Sequence, residues 1–243
     1  MTKPIQIFLR HCYYSKLQEL PDRKRPKWFD KHKVFKNFKK TINSNIADYC
    51  IIYDEHYGDI KKTFLSNEKN VKIVNCGSEG KSFVKTLEYI KSINFDPETI
   101  IYFLEDDYLH RPGWCEILLE GFLLKSDYVT LYPCELVERE DFLYKIFTTE
   151  NTYWRVLPVT TNTFACKFST LLKDYDIHLK YSIQNNNNEY ICSNDYKKFW
   201  DLNIKQNKYI VAPISGYSTH CDQNYLTPFV NWKKIINVST EYF

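Results

Sequence analysis

The apolar run Thr99-Ile-Ile-Tyr-Phe-Leu104 ends in three consecutive acids, Glu105-Asp106-Asp107. Carboxylates brought together at the end of a buried strand repel one another and lose hydration. A divalent cation resolves the conflict, because carboxylate oxygens are the ligands that Mg²⁺ or Mn²⁺ prefers. The carboxyl end of a buried strand is also where open α/β sheets place their ligand crevice. The alternative is an acidic turn that caps the next helix, since Pro112-Gly113-Trp114 follows closely.

The 243 residues suit one large domain or two small ones. Hydrophobic residues make up 44% and aromatic residues 17%, enough for a sizeable core. The presence of only 6 Gly argues against a propeller or collagen-like array. The net charge of +3 is too small to imply nucleic-acid binding, and no nucleic-acid partner is expected. No stretch approaches the roughly twenty apolar residues of a membrane span. The first ten residues hold too short an apolar segment for a signal peptide. The 8 Cys stand singly with no CxxC pair, which argues against a zinc knuckle or a thioredoxin-like site. Free Cys inside apolar runs behaves as a small hydrophobe, and a reducing, cytoplasmic setting is the simplest reading.

Periodicity gives the order of elements. Strands are expected at Ile5–Leu9, Tyr49–Tyr53, Val71–Val74, Thr99–Leu104 and Tyr128–Tyr132. A basic segment, Arg23–Lys40, carries Trp28, Phe29, Val34, Phe35, Phe38 and Ile42 at helical spacing, with Asp30 placed as an N-cap. Phe83, Val84, Leu87 and Ile90 share one face of a helix, and another runs from Pro112 to about Leu124, with Pro at its first position. Strands alternating with helices over the first 130 or so residues predict an α/β fold: a mixed, mainly parallel sheet flanked by helices. In the second half, Tyr153–Val159 and Thr163–Phe168 suit antiparallel strands, Ser169–Lys173 and Ser193–Leu202 suit helices, and Tyr209–Ala212 is extended. Asn185–Asn188 reads as a polar loop tip.

This order of motifs resembles glycosyltransferase family 2 and its GT-A relatives, from about Ile5 to Asp222. The resemblance implies a single GT-A-like, Rossmann-like domain, with residues 1–132 as the nucleotide-sugar half and 133–243 as the acceptor half. It places Asp54 at the nucleobase, Asp106 near the ribose, Asp107 on the metal and Glu105 as a supporting partner in the DxD-type motif. Asn194-Asp195 is the best match for the family's acidic pair, although Asn replaces the first acid; Asp195 would be the catalytic base. His220 matches a late His that helps hold the metal or diphosphate. Arg10-His11-Cys12 departs from the ending common to the family's first strand. The implied activity is sugar transfer from a nucleotide-diphosphate donor, a UDP-sugar favoured, to a glycan or other hydroxyl acceptor. Inversion follows if Asp195 is placed correctly.

The chemistry suits these residue types. A Mn²⁺ or Mg²⁺ ion on Asp107, with His220, would act as Lewis acid on the diphosphate. Arg10, Lys81 or Arg155 could add fixed positive charge, and a carboxylate base contributes about 10²–10⁴-fold. Asp195 as a simple helix N-cap is the equal alternative.

Gly77-Ser-Glu-Gly80-Lys-Ser82 has two residues between its glycines where a P-loop needs four, so it reads as a βα turn. The basic segment suits either an anionic membrane surface, as a peripheral contact, or a solvated helix whose aromatics pack on the sheet; the second reading is preferred. Thr160-Thr161-Asn162-Thr163 offers groups for sugar recognition or a polar turn. Trp154, Trp200, Tyr217 and Trp232 could stack on sugars or pack in the core. Two other functions compete: a sugar nucleotidyltransferase, which usually shows a Gly-rich basic loop after the first strand, and a non-catalytic sugar-binding or membrane-surface module.

Overall fold

Alternation within single strands sets the layers. In β4 (Ile100–Glu105), Ile100, Tyr102 and Leu104 face one hydrophobic cluster while Ile101 and Phe103 face another. Period-two side chains that are apolar on both faces demand cover on both faces. The structure is a computed structural model and describes residues 3–14, 23–133, 142, 144–182 and 194–240.

β1 (Ile5–Cys12), β2 (Ala47–Asp54) and β3 (Val71–Val74) lie with β4 in the parallel order β3-β2-β1-β4. A short ribbon stands apart from this sheet: β5 (Tyr108–His110) pairs antiparallel with β11 (Ser218–His220). The remaining strands are β6 (Tyr128–Val129), β7 (Ile146–Thr148), β8 (Tyr153–Val156), β9 (Phe164–Lys167) and β10 (Ile210–Pro213), giving β4-β9-β6-β10-β8-β7. β9 and β8 run against the rest, so the expected mixed, mainly parallel sheet is what forms.

The helices cover both faces. α1 (Lys31–Thr41) buries Val34, Phe35 and Phe38, and Asp30 caps it by accepting from the Lys33 amide at 2.8 Å. The N-cap and the apolar stripe are those expected from the sequence. α2 (Glu79–Ile93) is capped by Ser78 and buries Phe83, Leu87 and Ile90 on the opposite face. α3 (Trp114–Leu123) starts after Gly113, whose φ of 82° suits only glycine without strain. Pro112 therefore precedes the helix instead of opening it.

α4 (Phe168–Lys173) and α5 (Tyr175–Lys180) form one expected helix and one that the sequence reading did not include. α6 (Asp195–Trp200) runs into a π-helical turn, Asp201–Lys205. α7 (Trp232–Thr240) packs on α1 through Trp232, Ile236 and Val34.

Other boundaries moved for local reasons. The expected strand to Tyr132 stops at Val129, where the Thr130 side chain accepts from the Tyr132 amide at 3.2 Å and turns the chain. Phe168 leaves β9 to start α4. Trp154 and Trp232 are buried core residues and so do not offer faces to a sugar. The tract Asn185–Asn188 lies outside the described residues. Among the described residues no helix is long and apolar enough to cross a membrane, and the six described Cys are free thiols.

A Cβ on Gly121 would lie 2.7 Å from Val129 Cγ1 and 2.9 Å from Trp154 Cη2, so α3 approaches the sheet only because that position is glycine. Gly121→Ala should lower stability by roughly 1–3 kcal/mol in urea unfolding, despite alanine's better helix propensity. An unchanged or raised stability would contradict that close approach.

Candidate active site

Strand register assembles the polar cluster at the carboxyl end of the parallel strands. Arg10 lies opposite Glu105 and Cys12 opposite Asp54. Because β9 runs against β4, the segment Thr160–Thr163 that leads into it also ends at this edge. The β5–β11 ribbon sets His220 opposite Tyr108, one residue from Asp107.

Each acid of the triplet meets a cation of the protein. Arg10 is almost wholly buried; its guanidinium donates to Glu105 Oε1 at 2.9 Å and to Glu79 Oε1 at 2.8 Å. Asp106 Oδ2 accepts from Lys31 Nζ at 2.7 Å and from the Cys12 amide at 3.3 Å, and it pairs with His11 Nδ1 at 2.9 Å. Asp107 Oδ2 accepts from Arg25 at 2.7 Å and faces His220 Nε2 at 3.1 Å. His220 is stacked between Tyr108 and Tyr225, with ring centroids 5.1 and 6.3 Å away.

These partners decide which carboxyls ionise. Burial opposes ionisation of Asp106, but Lys31 and His11 outweigh it and pull its pKa down to about 2. Burial also opposes Asp107, and His220 with Arg25 holds it well below the usual carboxylate range. Glu105 goes the other way: burial raises it to about 7 against the pull of Arg10, with Asp107 and Glu79 adding to the rise.

A second cluster adjoins the first. Asn194 caps α6 by accepting from the Lys197 amide at 3.1 Å, so Asp195 is not the N-cap. Asp195 Oδ2 instead accepts from the Asn162 amide at 3.0 Å, while Oδ1 has no hydrogen-bond partner and lies 3.6 Å from Lys198 Nζ. Its pKa is raised to about 6, by burial first and then by Glu79, against the lowering effect of Lys198 and Arg10. Lys198 is fully buried, donates to Asn162 Oδ1 and sits over the Phe83 ring at 4.6 Å; burial lowers its pKa. Asn162 Nδ2 reaches Glu79 Oε1 at 3.0 Å. A polar relay thus runs from Asp195 through Asn162 and Glu79 to Arg10 and Glu105.

Of the residues named from sequence, the structure brings together Arg10, Glu105, Asp106, Asp107, His220 and Asp195. Asp54 is at the same edge, yet its carboxylate is engaged by backbone: Oδ1 accepts from the amides of His56 and Cys76 at 3.2 and 2.9 Å, and Oδ2 from Gly77 at 3.0 Å. Gly77, at φ 70°, turns its amide to meet it. Lys81 lies exposed in the first turn of α2, with its amide bonded to the Ser78 cap at 3.3 Å. Arg155 is on β8, four strands from β4 and so about 19 Å across the sheet, and no described bond joins it to the triplet.

Sequence reasoning missed Arg25, Lys31, Glu79 and Lys198, while Asn162 lies in the Thr160–Thr163 segment read as a sugar-recognition or turn element. The first two lie in the basic segment, which was read as a helix packing on the sheet; its excess of cations was the available signal. The others come together only through tertiary pairing.

The donor chemistry fits a divalent ion held largely by a ligand's own oxygens. Asp106 and Asp107 take all their described contacts on Oδ2, which leaves Oδ1 of each as a hard oxygen without a described partner. Among the described residues no group of three or more His, Cys, Asp or Glu is arranged to hold a metal ion. One or two carboxylates plus phosphate oxygens is an ordinary Mg²⁺-type ligand set.

No family model matches the chain, and no curated protein is significantly similar to it. Among solved structures, the chain is similar to the 4-diphosphocytidyl-2C-methyl-D-erythritol synthase of Anaerococcus prevotii, at 14% identity and a TM-score of 0.47, over 98% of this chain and 95% of that one. It is also similar to residues 1–349 of TarS from S. aureus, at 14% identity and a TM-score of 0.49, over 98% of this chain and 65% of that one. The same TarS segment in complex with UDP-GlcNAc is matched over 87% of this chain and 56% of that one, at 14% identity and a TM-score of 0.49. Superpositions at this level carry no inference about chemistry, which rests on the side chains themselves.

Breaking one buried pair tests the charge balance. Lys31→Met should destabilise the protein by roughly 3 kcal/mol, because Asp106 would lose its lysine partner and keep only His11 and the Cys12 amide. Asp106→Asn in the same chain should recover at least about 1 kcal/mol of that loss in a double-mutant unfolding cycle. Strict additivity would contradict the pairing.

Proposed function

We propose that the chain is a glycosyltransferase that moves a sugar from a nucleotide-diphosphate donor to a hydroxyl acceptor with inversion. The observation that carries this reading is the meeting, at the carboxyl ends of β1 and β4, of an ion-paired acidic cluster with a separate carboxylate whose pKa stands near 6. Pairs of carboxyl groups driven apart in pKa by their surroundings are the usual mark of divided catalytic roles.

In this reading Asp195 is the general base. Its carboxyl group, 29% exposed, takes the proton of the acceptor hydroxyl as that oxygen attacks the anomeric carbon. Asn162 and Lys198 orient the carboxylate and keep part of it ionised. The nucleoside diphosphate leaves on the opposite side, toward the triplet. Asp106 lies at the ribose, while Arg25 and Lys31 can exchange their carboxylate partners for phosphate oxygens. Asp107, with His220 beside it, would hold Mn²⁺ or Mg²⁺, which supplies Lewis-acid stabilisation of the leaving diphosphate. Asp54 shapes the base-binding edge by fixing the Cys76–Gly77 turn.

A sugar nucleotidyltransferase is the second reading, and one observation favours it: the segment after β1 does deliver basic side chains, Arg25 and Lys31, to the acidic site. Products separate the two. Sugar transfer releases a nucleoside diphosphate, whereas nucleotidyl transfer from a nucleoside triphosphate and a sugar phosphate releases pyrophosphate.

A thermal-shift screen of UDP-, GDP- and dTDP-sugars should show stabilisation by one donor that grows with Mn²⁺; no response to any of them would count against both readings. Asp195→Asn should retain donor affinity and lose about 10²–10⁴-fold in turnover. Turnover of the wild type should rise with pH through about 6, as Asp195 loses its proton and becomes a competent base. A flat profile between pH 5 and about 8 would reject Asp195 as the base.

A further inference from the structure

The charge of this chain is unevenly placed. Residues 23–41 and 223–240 hold 11 of its 33 Lys and Arg but one of its 30 Asp and Glu, Asp30, so these segments carry +10 and the remainder −7. Part of each segment meets the other, because α1 and α7 pack side by side, while Arg25, Lys31 and Lys39 pair with Asp107, Asp106 and Glu68. Asn37 donates to Ser239 Oγ at 3.0 Å, Lys40 donates to the Val238 carbonyl at 2.8 Å, and Val34 meets Trp232 and Ile236. Lys24, Lys27, Lys33, Lys233 and Lys234 are exposed. Arg25 and Lys31, ion-paired with Asp107 and Asp106, tie the first segment to the acidic site.

An apolar projection stands in this basic face. Phe229 is 97% exposed and takes a left-handed backbone at φ 61°, a conformation a bulky aromatic adopts only when its surroundings impose it. The loop that imposes it is firmly tied: Trp232 Nε1 donates to the Thr227 carbonyl at 2.8 Å, and the Thr227 amide to Thr219 Oγ1 at 2.8 Å. Val238 on α7 is also 47% exposed. No described packing in the folded chain accounts for holding Phe229 outward.

We propose that this face binds an anionic membrane surface, with Phe229 entering the headgroup boundary and the lysines of α1 and α7 facing the acidic lipids. A basic face with a protruding aromatic is the arrangement that joins electrostatic attraction to apolar insertion. Residues 23–31 join the face to the triplet, so the acidic site opens beside the membrane. A soluble acidic polymer would use the lysines but gain little from an inserting side chain.

The test is co-sedimentation of the whole chain with phosphatidylcholine vesicles containing or lacking about one-third phosphatidylserine, at low and at physiological salt. Binding should be at least about tenfold stronger to the anionic vesicles and should weaken with salt. Lys233→Gln with Lys234→Gln should reduce it by about 25-fold, at about fivefold per lysine. Phe229→Ala should reduce it by roughly tenfold, with the melting temperature held or raised in each variant. Equal or absent binding to the two vesicle types would overturn the proposal. So would heparin binding with the same lysine dependence, if Phe229→Ala left vesicle binding unchanged.

Discussion

The pairing of carboxylates with buried or half-buried cations at the carboxyl ends of β1 and β4 is the constraint on which the rest of this structure depends. Three adjacent acids at the end of a strand buried on both faces are costly unless each finds an opposite charge. Register supplies Arg10 opposite Glu105, and the segment before α1 supplies Arg25 and Lys31 to the two aspartates. This sets where the basic segment must lie. It lies over the carboxyl end of β4, and α7 packs on α1 through Trp232, Ile236 and Val34. A local electrostatic demand thereby fixes long-range topology.

The same pairing divides the site chemically. Asp106 and Asp107 are held ionised by their partners, whereas Glu105 and Asp195 are held near neutral pH by burial. One group of carboxylates is suited to permanent charge and another to proton exchange. Arg10, Glu79 and Asn162 connect the two groups through direct hydrogen bonds, so a change of protonation at one end alters the field at the other.

Much of the first half was legible because strands buried on both faces and amphipathic helices leave plain periodicities. Ile100–Leu104 and the Phe83–Ile90 stripe are examples, as is Asp30, whose capping role follows from local chemistry. The acids of the site could be read for the same reason: they end a strand. Arg10 could be read beside them, but Arg25 and Lys31 could not, since they look like any solvated lysine-rich run until tertiary structure folds them over the sheet. Arg155 shows the converse error, a basic residue near apolar sequence that the strand order carries four positions away. The β5–β11 ribbon escaped notice because three-residue strands hold too few alternations to register.

A crystal structure of the chain with UDP and Mn²⁺ tests the central claim most directly. The diphosphate should lie at the carboxyl ends of β1 and β4, within hydrogen-bond reach of Arg25 or Lys31, with an anomalous manganese peak on the Asp107 carboxylate. Nucleotide bound elsewhere on the sheet, with the pairs of Asp106 and Asp107 intact, would contradict that claim.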